Sequence, residues 1–243
     1  CVHLSLHAAP AILETASFRA AIETDTSSPD FGAIVAYTDK AAPGEAVSCR
    51  WFRLRAGTAV PAEKSVLTQT SDTVCVSLGG FSGLPLEANL RYICSGQNLV
   101  LESAAWVRSE TGFRDGVWFD VESDFTRLWS ATPGRARKRF DCSGTASTHG
   151  HLDNHVVFYD ARGAVNFFFR NPFHSHWEFN ASGRGRHVLQ LLQTLRPRGP
   201  NCYEADEGPD AYSTIHPGDT IFRRIEIIPS HASAIPLYFT EHP

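Results

Sequence analysis

Apolar residues in this chain come in strand-length segments, each cut off by Gly, Pro, Asp or Ser, and this punctuation restricts the fold more than any other feature. The segments run 32–37, 47–54, 73–78, 89–94, 99–107, 116–121, 155–159, 164–169, 220–228 and 235–239. Short segments at this spacing, with no regular strand–helix–strand alternation, predict an all-β protein with minor α content: an antiparallel β-sandwich or a jelly-roll-like fold. Helical spacing is weak and confined to two places. Behind Pro10 the residues Ile12, Leu13, Phe18 and Ile22 fall loosely on one face, and 186–195 precedes Pro197, so two short helices are expected there.

The most informative stretch is 149–178. Asp160-Ala161-Arg162-Gly163 has type I turn chemistry, Asp first and Gly fourth, between two runs of strand-forming residues. The hairpin this predicts sets Tyr159 opposite Ala164, Val157 opposite Asn166 and His155 opposite Phe168. Strand alternation then separates two sets. Val156, Phe158, Val165, Phe167, Phe169 and Phe173 form the core side. His149, His151, Asp153, His155, Phe168, Arg170 and His174 form the other, with His176 and Glu178 continuing in phase.

Two kinds of chemistry suit that second set. Neutral imidazoles spaced His-x-His on a strand bind divalent transition metals, so His149, His151, His174, His176 and Glu178 are candidate metal ligands. A His–Glu pair also serves as general acid and base near neutral pH. The plain alternative is the solvated side of an antiparallel sheet, polar whatever its function. Trp177 adjoins these residues and is a candidate platform for a sugar or a protein partner.

Six cysteines, Cys1, Cys49, Cys75, Cys94, Cys142 and Cys202, are even in number and contain no CxxC pair, which predicts a fold braced by three disulfides. A chain beginning at Cys1 reads as a mature, exported protein. Asn180-Ala181-Ser182 is a glycosylation sequon, expected on the surface. Arg135, Arg137, Lys138 and Arg139 form the densest basic cluster, a candidate site for acidic or sulfated ligands. With a net charge of −4 and a pI near 6.3 the chain lacks the basic excess of a nucleic-acid binder. No apolar run approaches the roughly 18 residues of a membrane span.

At 243 residues a single β-rich domain, 1–243, is expected. A split into a four-cysteine part, 1–110, and a β-sandwich part, 111–243, is the alternative, with its seam at 109–114. No GxSxG, HExxH, Walker or GxGxxG string occurs. The functional expectation is therefore a secreted binding protein, effector- or decoy-like, that engages an extracellular host protein or glycan. The alternative is a metal-dependent secreted enzyme acting on glycans or small molecules through the histidine face.

Overall fold

The computed structural model describes residues 8–40, 46–108, 117–125, 127–130, 138–141, 145–152, 155–160, 163–169, 175–182, 187–193 and 217–230. Among them are seventeen strands and no helix, all paired antiparallel in two sheets. The eight-stranded sheet runs, in spatial order, β1 (Ala11–Glu14), β2 (Phe18–Ile22), β3 (Ile34–Asp39), β4 (Val47–Ala56), β9 (Val117–Ser123), β16 (His187–Gln193), β15 (Ser175–Ser182) and β12 (Thr145–Leu152). The nine-stranded sheet runs β11 (Lys138–Asp141), β10 (Arg127–Ser130), β13 (His155–Asp160), β14 (Gly163–Phe169), β17 (Thr220–Ser230), β8 (Asn98–Val107), β7 (Leu86–Ser95), β6 (Thr73–Gly79) and β5 (Glu63–Gln69). Both sheets draw strands from before and after the 109–114 segment, which itself lies outside the described residues.

Alternation explains why the sheets stack. Along β6 Val74, Val76 and Leu78 are buried, along β7 Leu86, Ala88, Leu90 and Tyr92, and along β17 Ile221, Ile225 and Ile227. One apolar side per sheet must be covered, and the other sheet covers it. The seam is aromatic: the ring of Phe167 on β14 lies edge-on to Trp51 and to Phe52 on β4, each at a centroid distance of 5.0 Å.

Both expected helices are strands. Residues 11–22 form the β1–β2 hairpin, whose turn closes with the Thr15 amide donating to the Phe18 carbonyl at 3.0 Å. Leu13, Phe18, Ala20 and Ile22 are buried in a period of two within each strand, and the helix-like spacing arose only by counting across the turn. Residues 187–193 pair on both sides, with β9 and β15, so ladder hydrogen bonds override a weak helical pattern.

Disulfide bracing is also corrected for the described cysteines: Cys49, Cys75 and Cys94 are free thiols. Cys75 alternates with the buried Val74 and Val76 and so faces away from the core, whereas Cys94 packs against it. Opposite faces of a sheet keep their Cβ atoms beyond disulfide reach. Cys49 is buried, its Sγ donates to the Ile34 carbonyl at 3.4 Å, and burial pushes its thiol well above the ordinary range. Cys1, Cys142 and Cys202 lie outside the described residues. Exchanging Cys75 and Cys94 together for serine is accordingly expected to move the thermal midpoint by no more than about 2 °C. Loss of a native disulfide would cost about 2–5 kcal/mol, a several-degree drop that calorimetry would reveal at once.

No helix among the described residues is long and apolar enough to cross a membrane.

Candidate functional site

The polar side of the eight-stranded sheet is organised by an irregularity in β4. Trp51 and Phe52 are consecutive, yet both are completely buried, and Phe52 holds φ at 64°, the left-handed region that non-glycine residues avoid. The pairing of β4 with β9 shifts register between Arg50 and Arg53 at the same point. Such a bulge lets two successive side chains turn to one side, so residues three apart emerge together on the other. Arg50, Arg53 and Arg55 thereby share one face.

Their partners come from β9 and from the loop joining β2 to β3. On β9 Phe119 and Val121 are buried in the core, which leaves Asp120 and Glu122 on the arginine side. Arg55 Nε donates to Asp120 Oδ1 at 2.9 Å and Oδ2 at 3.1 Å, and Arg53 Nη2 donates to Oδ2 at 3.3 Å. Arg53 Nη1 reaches Asp30 Oδ1 at 3.4 Å, and Arg50 Nε reaches Asp30 Oδ2 at 2.8 Å. Arg50 Nη1 also donates to both oxygens of Glu122, at 3.2 and 3.3 Å. Partial burial works against the Arg50 charge, but Asp30 and Glu122 outweigh it and raise the guanidinium above its usual range. The Asp120 carboxylate is only 6% exposed, so these are charge-assisted bonds in a shielded setting and not loose surface pairs.

Strand register carries this polar face further. Arg53 stands opposite Asp120, Asp120 opposite Gln190, Gln190 opposite Glu178 and Glu178 opposite His149. Five adjacent strands thus contribute one transverse row of polar positions on one face. The row beside it places His151 opposite His176. Neighbouring strands lie about 4.8 Å apart, so Glu178 is about 10 Å from Asp120 along the row.

Of the five candidate metal ligands read from sequence, His149, His151, His176 and Glu178 occupy facing backbone positions on β12 and β15. His174 lies outside the described residues. The hairpin register is as the turn chemistry predicts, with Tyr159 opposite Ala164, Val157 opposite Asn166 and His155 opposite Phe168, and with Val156, Phe158, Val165 and Phe167 buried. The expected continuous histidine face is not formed, however. β13 and β14 belong to the nine-stranded sheet and β12 and β15 to the other, so His155 is separated from His149 and His151.

Trp177 alternates with His176 and Glu178 and pairs with Leu191, which stands opposite the buried Phe119. Its position is on the opposite face from theirs, so it is not part of their row. Asn180 lies within β15, paired with β12 on one side and β16 on the other. Lys138 and Arg139 are in β11, at the edge of the other sheet, and Arg135 and Arg137 lie outside the described residues. Sequence reading missed Arg53, Arg55, Asp120 and Asp30. Charged residues alternating with Leu, Phe and Val on β4 and β9 were the available signal, obscured by the bulge. Among the described residues no group of three or more His, Cys, Asp or Glu is arranged to hold a metal ion.

No family model and no curated protein matches the chain. Solved structures do match its fold. A candidate aldose 1-epimerase from Escherichia coli K12 aligns with a TM-score of 0.60 at 11% identity, over 91% of this chain and 99% of that one. An aldose epimerase homologue from C. elegans gives 0.61 at 9%, over 91% and 98%. A galactose mutarotase related enzyme from Lactobacillus acidophilus gives 0.58 at 11%, over 91% and 97%. The architecture is thus a galactose mutarotase-like β-sandwich.

These likenesses correct the functional expectation. The fold's neighbours bear the names of sugar epimerases and mutarotases, which overturns the reading as a secreted effector or decoy engaging a host protein. Nothing in the fold or its neighbours supports a glycoprotein or an extracellular protein or glycan as partner.

Proposed function

We propose that the chain is a carbohydrate-processing enzyme that interconverts the anomers of an aldose by general acid–base catalysis on the polar face of the eight-stranded sheet. The observation that carries this reading is the row Arg53–Asp120–Gln190–Glu178–His149 with the His151–His176 pair beside it, on a fold shared with aldose epimerase-like proteins.

The chemistry needs one base and one acid. Glu178 takes the proton of the anomeric hydroxyl, the freed electron pair forms the C1 carbonyl, the bond from C1 to the ring oxygen breaks, and His176 protonates that oxygen. Rotation about the C1–C2 bond and the reverse steps close the ring on the other side, with both protons returned and no atom gained or lost. A carboxylate is ionised at neutral pH and an imidazole is partly protonated there, which suits these two roles. Asp120, held by two guanidiniums, is a well-oriented acceptor for sugar hydroxyls, and Arg53 and Arg55 supply donors beside it.

Polarimetry of freshly dissolved α-aldoses tests the proposal. The protein is expected to speed the approach to anomeric equilibrium well beyond the spontaneous rate, and Asp120→Asn to raise KM by about tenfold through loss of a charged acceptor. A panel of neutral aldoses relaxing at the spontaneous rate in its presence would end the proposal.

A further inference from the structure

The loop joining β2 to β3 is tied to the opposite sheet at two points. Lys64 Nζ on β5 donates to the Ser28 carbonyl at 2.7 Å, and the Tyr92 hydroxyl on β7 donates to the Gly32 carbonyl at 2.8 Å. Gly32 holds φ at 82°, and a Cβ there would stand 3.1 Å from Val76 Cγ2, so the loop passes close over the nine-stranded sheet where only glycine fits without a shift. Between these anchors Asp30, its side chain 15% exposed, spreads its two oxygens over Arg50 and Arg53. Those arginines flank the Phe52 bulge.

We propose that Asp30 is a positioning residue: it clasps Arg50 and Arg53 on either side of the bulge and sets the direction in which Arg53 meets Asp120. The inference rests on the polar face being the substrate site and adds to it a control outside the row. Three structural observations support it. Phe52 is held in a disfavoured backbone conformation, which persists only where its surroundings over-determine it. The buried rings of Trp51 and Phe52 hold the bulge from the core side. Asp30 bridges both flanking arginines from the polar side, accepting from Arg50 Nε at 2.8 Å and from Arg53 Nη1 at 3.4 Å.

Without the Asp30 charge the Arg53 guanidinium has one carboxylate partner instead of two and gains freedom to turn from the sugar. Binding weakens, while the acid–base pair on β15 is untouched. The test is steady-state mutarotation by Asp30→Asn and Asp30→Glu. Asp30→Asn is expected to raise KM about tenfold with kcat within about twofold, and Asp30→Glu, which keeps the charge, to recover most of the loss. A residue that mattered only for stability would instead lower the amount of active enzyme, reducing apparent kcat at constant KM. That result overturns the assignment, as does an Asp30→Asn protein that does not fold while Asp30→Glu does, or a KM unchanged in Asp30→Asn. An inactive wild-type protein sinks the catalytic reading itself and this assignment with it, an outcome distinct from an active wild type with an indifferent Asp30.

Discussion

Exchanging His176 for glutamine is expected to lower kcat for anomer interconversion by about 10²–10⁴-fold while leaving the circular dichroism spectrum and KM nearly unchanged. Glutamine is similar in size and still forms hydrogen bonds, but it cannot carry a proton at neutral pH. The backbone at 176 pairs with His151 of β12, and β15 is flanked on its other side by β16, so strand formation does not depend on the imidazole. The pH profile provides the sharper reading. A general acid is lost as pH rises through its pKa and a general base as pH falls through its own, which gives the parent enzyme a bell-shaped profile. His176→Gln should abolish the alkaline limb and Glu178→Gln the acid limb. His149, on the edge strand β12, is expected to matter less than either. A His176→Gln protein within threefold of the parent rate would remove this imidazole from the mechanism and pass the acid role to His151.

How far the sequence could reach is best seen on either side of the 160–163 turn. A two-residue connection fixes register locally, so the pairing of His155 with Phe168 followed from turn chemistry and alternation alone. The same reasoning failed one step outward, because β12 and β15 lie on opposite sides of that hairpin in sequence, pair with each other, and leave its sheet for the other one. Alternation names the positions that share a face of one strand but is silent about which sheet the strand joins. The arginines were hidden for a different reason. Strict alternation along 47–56 puts Arg50 and Arg53 on opposite faces, and only the Phe52 bulge, at a residue with none of the usual preference for positive φ, brings them together. Cysteine count misled because parity places Cys75 and Cys94 on opposite sides of their sheet, a consequence of register that counting cannot supply.

The bulge also predicts the largest effect on stability, at a residue remote from the polar face. Phe167 is fully buried and its ring meets Trp51 and Phe52 at 5.0 Å and Phe158 at 5.7 Å, so one side chain joins the two sheets beneath the bulge. Phe167→Ala is expected to cost about 3–5 kcal/mol in chemical denaturation, since the ring's burial is lost and a cavity opens among side chains that cannot all collapse into it. In a chain of this length that corresponds to a thermal midpoint lower by about 10 °C. Phe158, equally buried on β13 and meeting the ring of Phe167 at 5.7 Å, provides the control. Phe158→Ala should destabilise comparably and leave KM for the aldose unchanged. Phe167→Ala should raise KM as well, because relaxing the floor under Trp51 and Phe52 lets Arg50 and Arg53 lose their common face. Equal KM values in the two variants would mean that the bulge keeps its shape without support from the core, leaving the hydrogen bonds on the polar side to hold it.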